Sequence, residues 1–195
     1  EEVVRQRDEN ERQRLKLEDL YKAVTASIRY AKRLQNSILP PKEVINSICP
    51  DSFVLYKPKD IVSGDFYWFE KTEKANFFAA VDCTGHGVPG AFMSMIGITY
   101  LDQILNNKAI TKPDQILNAL RTNIIHALSS EGPDQSKDGM DISFCSIKGT
   151  TLKFTGANNP LWLARNNEHI TETDKAHKPI TVFLTAWLEI FIFFK

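Results

Sequence analysis

Two aspartates, Asp65 and Asp82, stand seventeen residues apart, each joined to an apolar, strand-like segment. Asp82 follows Phe77–Val81 and precedes a loop with glycines at 85, 87 and 90. Asp65 lies in Val62-Ser63-Gly64-Asp65-Phe66-Tyr67-Trp68. A carboxylate at the end of a buried strand, beside glycines that leave backbone carbonyls uncovered, offers hard oxygen ligands to Mg²⁺ or Mn²⁺. Two such acids on neighbouring strands suggest metal-assisted hydrolysis. The competing reading is that Asp82 caps the following turn or helix and the glycines only make a tight connection.

Other polar residues near these segments admit two roles each. His86 has the titration range of a general acid, or it braces the glycine loop by hydrogen bonds. Lys59 could hold a substrate phosphate, or be an exposed loop lysine. Asp138 and Asp141 could be metal ligands, or Asp141 could satisfy turn backbone at the start of an apolar strand. Asn158 and Asn159 sit in Gly-Ala-Asn-Asn-Pro and suit a turn. The thiolate of Cys83 is too soft for Mg²⁺ or Mn²⁺, so its side chain has no part in binding them.

The elements that must position these groups follow from patterning. Residues 1 to about 38 contain neither proline nor glycine and read as one long helix ending at Pro40-Pro41. Leu17, Leu20, Val24, Ser27, Ala31, Leu34 and Ile38 recur at alternating steps of three and four, a heptad seam; further back the register meets polar Gln13, Asn10 and Gln6. This predicts a parallel coiled coil, with a single amphipathic helix packed on its own domain as the alternative. Strands are predicted at Phe53–Tyr56, Asp65–Glu70 and Asn76–Val81. Two helices follow. The first runs from about Gly90 to Leu105, with Phe92, Met95, Ile96, Thr99 and Leu105 on one side. The second begins after Lys112-Pro113-Asp114 and runs to about Leu128, burying Ile116, Leu117, Leu120, Ile124 and Ala127. After a polar loop around Gly132-Pro133-Asp134, with Ser136 and Lys137, strands resume at Ile142–Ile147, Leu152–Thr155 and Leu161–Ala164. Strands, two helices, then strands indicate an α+β layered domain.

Four segments in this order, SGDFYW at 63–68, DCTGHGVPGAFMSM at 82–95, DGMDISFC at 138–145 and FTGANNPLWL at 154–163, carry a specific pattern. The chain resembles the SpoIIE/RsbU-type branch of the PPM metal-dependent serine/threonine protein phosphatases, over roughly Gln35 to Pro179. The resemblance implies a β-sandwich flanked by antiparallel helices and two Mn²⁺ or Mg²⁺ ions. It implies Asp82 bridging both ions, with Asp65 and the Cys83 backbone carbonyl serving one of them. The substrate it implies is a phosphoserine or phosphothreonine regulatory protein, such as an anti-sigma-factor antagonist in bacterial signalling. Helix 1–38 would then be the linker from an upstream sensor and a homodimer contact through residues 17–38.

The family's two later aspartates, in an (S/T)-D-G and a D-D-x-T-like segment, have no counterpart. After Ile180 the chain reads TVFLTAWLEIFIFFK, without Asp, Gly or Asn. This predicts three parts: a helical linker at 1–38, a partial phosphatase domain at 39–180, truncated or frame-shifted at its C-terminus, and an atypical apolar tail at 181–195. The missing carboxylates leave a second reading open, a dimeric phosphoprotein-binding module with weak or no turnover. Uncovered sandwich edges are a further expectation. With 24 basic and 24 acidic residues, nothing argues for nucleic acid or an anionic membrane. Three cysteines without a pairing pattern suit a reducing cytoplasm. The apolar tail, interrupted by Glu189, is shorter than a spanning helix, so no membrane insertion is expected.

Overall fold

The computed structural model describes residues 1–107, 110, 112–129, 138–165, 169–172 and 190–194. Helix α1, Glu2–Ile38, ends where Leu39 turns extended (φ −70°, ψ 143°) ahead of Pro40-Pro41. The prolines cannot continue the hydrogen-bond ladder. Gln35 is the one buried residue of α1. A short helix α2, Lys42–Ile48, follows directly. Sequence patterning gave no sign of it, because seven residues are too few for a periodic stripe.

Among the described residues, eight strands and two further helices follow. They are β1 (Ser52–Tyr56), β2 (Phe66–Lys71), β3 (Asn76–Cys83), α3 (Gly87–Asn106), α4 (Pro113–Leu128), β4 (Met140–Lys148), β5 (Thr151–Ala157), β6 (Trp162–Arg165), β7 (His169–Glu172) and β8 (Ile190–Phe194). Strands β2-β3-β4-β5 form an antiparallel sheet, with two-stranded pairs β1–β8 and β6–β7 beside it. The apolar tail therefore supplies a strand at 190–194, which pairs antiparallel with β1 from Ser52–Phe194 to Tyr56–Ile190. One edge of β1 is covered there, where uncovered sandwich edges were expected in general. The polar loop expected at 132–137 and the segment 173–189 lie outside the described residues.

Register sorts the central sheet into two faces. Phe66 and Trp68, Phe77, Ala79 and Val81, and Ile142 and Phe144 pack with Met93, Ile98 and Leu101 of α3 and Ile116, Leu120 and Ile124 of α4. Burying each large side chain contributes roughly 1.5–3 kcal/mol of transfer free energy. Trp68 stacks on Phe144 at 5.9 Å between ring centroids, and its Nε1–H donates to Asp102 Oδ1 of α3 at 2.8 Å. On the opposite face Phe69, Phe78 and Cys145 pack with Ile45, Ile48 and Cys49 around α2, joined by Val54 of β1. The sheet is thus covered on both sides, by α3 and α4 on one and by α2 and β1 on the other.

Two expectations about the helices need correction. Helix α3 begins at Gly87, about a turn earlier than expected, and buries Gly90, Ala91, Met93, Ser94, Gly97, Ile98, Leu101, Ile104 and Leu105. Phe92 is 63% exposed, and Thr99 also faces solvent. The packed face is the one carrying small residues: a Cβ at Gly97 would lie 2.9 Å from the Phe66 ring, so the helix sits close to the sheet there. In α4, Ile116, Leu117, Leu120 and Ile124 are buried as expected, but Ala127 is exposed and Pro113 takes its place in the core.

Candidate functional site

Antiparallel pairing brings the acids to one end of the central sheet. Phe66 pairs with Val81 as the last pair of that register, with Asp65 the residue before Phe66 and Asp82 the residue after Val81. Asp82 in turn pairs with Asp141. Residues directly opposite across a ladder share a face, and Asp82 and Asp141 stand on the face bearing Phe78 and Cys145. Asp65 and Asp82 are 7% and 6% exposed, and Asp141 is half-buried. Asn158, held at φ 59°, donates from Nδ2 to Asp141 Oδ1 at 2.9 Å. The asparagine thus forms a turn and also engages an acid of the cluster.

The next residue, Cys83, places its thiol in the opposite face, within the core shared with α3. Burial pushes that thiol well above its ordinary range, helped by the carboxylates of Asp65, Asp82 and Asp141. It is a neutral core group. Beyond Cys83 the ladder continues as a clasp. Thr84 N–H donates to Gly139 O at 2.8 Å, and Gly139 N–H donates to Thr84 Oγ1 at 3.1 Å. The glycine loop is thereby tied to the strand that carries Asp141.

The same loop is packed against the Asp65 segment with no room for side chains. A Cβ at Gly64 would stand 2.6 Å from Gly85 O and 3.2 Å from Cys83 O, and one at Gly90 would stand 2.5 Å from Gly85 O. Glycine at 64 and 90 is what lets two backbone segments meet and bare their carbonyls. Within the loop His86 immediately precedes α3 without a side-chain capping bond, and its Nδ1 lies 2.8 Å from Asp60 Oδ2. Both members of this pair are substantially exposed. Lys59, next to Asp60, is also exposed. Spacing gave no hint of Asp60, whose partner lies 26 residues away in the chain.

The backbone at Asp65 is fixed from three directions. Its N–H donates to Ser63 Oγ at 3.0 Å, and its carbonyl accepts from the Tyr56 hydroxyl at 3.1 Å. Ser63 is gripped by Gln35 of α1 (Nε2 to Ser63 O at 2.6 Å; Ser63 N–H to Oε1 at 3.1 Å). Among the described residues, no three His, Cys, Asp or Glu side chains converge closely enough to enclose a cation. A cavity of about 500 Å³ lies at the far end of the sheet, lined by Glu70, Lys71, Lys74, Asp102 and Asn106 among others. It is separate from the acids described above. There, burial and then the Asp102 charge raise the Glu70 carboxyl above its ordinary range.

The fold has solved counterparts. The SiaA-PP2C domain of Pseudomonas aeruginosa superposes with a TM-score of 0.71 at 29% identity, over 83% of this chain and 64% of that one. The PP2C phosphatase domain of SpoIIE from Bacillus subtilis, solved with a fragment of its regulatory domain, gives 0.51 at 20% identity, over 74% of this chain and 41% of that one. The chain thus spans less than two thirds of the length of either. No protein-family model matches the chain, and no curated protein does. Among the described residues no helix is long and apolar enough to cross a membrane. The fold is that of the PP2C phosphatase domains of SiaA and SpoIIE, in keeping with the resemblance carried by the four ordered motifs.

Proposed function

We propose that the chain is a metal-dependent phosphoprotein phosphatase domain that hydrolyses phosphoserine or phosphothreonine on a regulatory protein, such as an anti-sigma-factor antagonist of bacterial signalling. The observation that carries this is the adjacency of buried Asp65 and Asp82 at the sheet end, beside the Gly64–Gly85–Gly90 contact. Two carboxylates and the Cys83 carbonyl form an all-oxygen donor set, which suits Mn²⁺ or Mg²⁺ and no softer ion. A cation held there would supply an acidified water and neutralise phosphoryl oxygens. Asp82 and Asp65 hold the charge; Cys83 contributes its backbone alone. Asp141 lies next in the ladder and keeps its neighbour Asp82 in an anionic setting.

His86 has Nδ1 committed to Asp60, which orients the ring and leaves Nε2 as the atom able to carry a proton to or from a leaving group. The same bond braces the loop, so both roles foreseen for His86 are compatible. Lys59 stands beside that pair, where an ammonium suits a substrate phosphate. Residues 17–38 of α1 are the proposed homodimer contact: among the described residues Leu17, Leu20 and Val24 are 68%, 55% and 57% exposed and form an apolar row. The helix would then connect to an upstream sensor in a cytoplasmic protein.

A second reading has its own support: the described acids do not enclose a cation, and the segment after Ile180 contains no Asp. On that reading the chain binds a phosphoprotein and turns it over poorly. The experiment is release of inorganic phosphate from a phosphoserine peptide with and without Mn²⁺, beside a version extended by a segment carrying two further aspartates. Slow Mn²⁺-dependent release that accelerates in the extended version supports the phosphatase reading. Peptide binding without release in either version supports the binding module instead.

A further inference from the structure

Tyr56 is the last residue of β1, and its hydroxyl donates to the Asp65 carbonyl at 3.1 Å. Asp65 stands nine residues further along the chain. The bond closes the base of the connection 57–64, which carries Lys59 and Asp60. Near its middle the same connection is tied to the glycine loop, where Asp60 Oδ2 meets His86 Nδ1 at 2.8 Å.

The β2–β3 register stops at Phe66–Val81, so that ladder does not place Asp65. Side chains do so instead. Ser63 Oγ accepts the Asp65 N–H at 3.0 Å, and the Tyr56 hydroxyl takes the carbonyl on the other side of the same residue. Packing alone does not call for a tyrosine at 56. Phenylalanine would fill the same half-buried space, whereas a phenol drawn into the protein needs a partner for its O–H.

The ring itself is held from several sides. It meets Tyr67 of β2 edge-on, with 5.5 Å between centroids and 81° between planes, and Tyr67 meets Phe69 in the same manner at 6.5 Å. The strand that carries it pairs with β8 up to Tyr56–Ile190, and Val54, two residues earlier, packs with Phe69, Phe78 and Cys145. The hydroxyl is thus delivered from a strand with both ladder and core contacts. A donor fixed in this way holds the segment that it joins in one placement.

We propose that Tyr56 is a positioning residue for the cation site: its hydroxyl, delivered by β1, holds the Asp65 backbone where the carboxylate can bind a cation together with Asp82. The proposal rests on the reading of Asp65 and Asp82 as metal ligands. Groups that orient metal ligands typically account for about 10–100-fold in metal affinity. Here the bond is to the backbone of the ligand residue, so the loss is bounded by one hydrogen bond, about two- to tenfold.

The test is calorimetric titration of Mn²⁺ into the full chain and into Tyr56→Phe, Tyr67→Phe and Asp82→Asn, with thermal unfolding of each metal-free protein. Tyr56→Phe keeps the ring and its edge-on contact and removes only the donor. Tyr67→Phe removes a hydroxyl from the neighbouring ring and leaves the bond to Asp65 in place. Expected is Mn²⁺ affinity about two- to tenfold weaker in Tyr56→Phe and unchanged in Tyr67→Phe, with a cooperative unfolding transition in both. Unchanged affinity in Tyr56→Phe, or an equal loss in the two variants, overturns the positioning role, provided that Asp82→Asn abolishes binding. Absence of Mn²⁺ binding by the unmutated chain, or equal binding by Asp82→Asn, overturns the metal reading beneath it. If Tyr56→Phe does not fold, Mg²⁺ titration of the unmutated chain carrying tyrosine labelled with ¹³C at Cζ decides: a Tyr56 resonance that shifts as the site fills supports the proposal, and one that stays in place overturns it.

Discussion

Substitution of Gly64 by alanine tests whether close backbone packing builds the site. An added Cβ would stand 2.6 Å from Gly85 O, against the 3.4 Å at which ordinary contact begins, a shortfall of 0.8 Å. The obstacle is backbone, so no side chain can swing away. The loop from Thr84 to Gly90 must move, or the Asp65 segment must. Overpacking of this kind costs about 1–3 kcal/mol. Gly64 is not among the positive-φ glycines, so alanine also restricts the unfolded chain, which returns about 0.4–1 kcal/mol. A net loss of about 1–2 kcal/mol corresponds to a Tm about 2–8 °C lower for a chain of this size. Gly149→Ala is the control: it sits at φ +58° with nothing within 4 Å, so its cost is left-handed strain alone, about 1–2 kcal/mol. Differential scanning calorimetry should find both variants destabilised, while Mn²⁺ titration should find only Gly64→Ala weakened. If Gly64→Ala keeps both its Tm and its Mn²⁺ affinity, the loop has slack and the packing argument fails.

Two other predictions concern assembly and pH. Leu20→Glu with Val24→Glu should convert a dimer to monomer in light scattering at tens of micromolar, because both side chains lie on the exposed seam; an unmutated chain that is already monomeric there refutes the dimer. Burial pushes Cys49 up to about 11 and Cys145 up to about 12 from an ordinary 9.0. A raised thiol pKa means that the folded form binds its proton more tightly than the unfolded one. That stability is fully present below pH 9 and is lost as pH rises through 11–12. Tm should therefore fall across that window, and iodoacetamide at pH 8 should leave Cys49 and Cys145 unmodified unless denaturant is added.

Much of the fold was legible because it depends on local chemistry. Thirty-seven helical residues without Gly or Pro, stopped by Pro40-Pro41, announce α1 in the sequence. Asp65 and Asp82 are readable because each adjoins an apolar strand, and the Phe66–Val81 pair then brings the ends of those strands together. What was not legible is non-local or runs against simple hydrophobicity. Helix α3 buries glycines and exposes Phe92, since close approach to the sheet matters more than apolar character on that face. β1 and β8 are far apart in the chain, with Ser52 paired to Phe194, which no local pattern encodes. Gln35 reads as a polar residue off the heptad seam; its offset from Leu34 and Ile38 is the sole trace of a second, domain-facing stripe. Asp60 carries no spacing signal at all, and its link to His86 exists only in three dimensions.

The central claim, that Asp65 and Asp82 form a hard-cation site, is tested most directly by Mn²⁺ titration of the unmutated chain and of Asp82→Asn under identical buffer. Asp82→Asn keeps the shape of a 6%-exposed side chain and removes its charge. Saturable Mn²⁺ binding by the unmutated chain, with no measurable heat from Asp82→Asn, is the predicted result. Superimposable isotherms from the two proteins would contradict it.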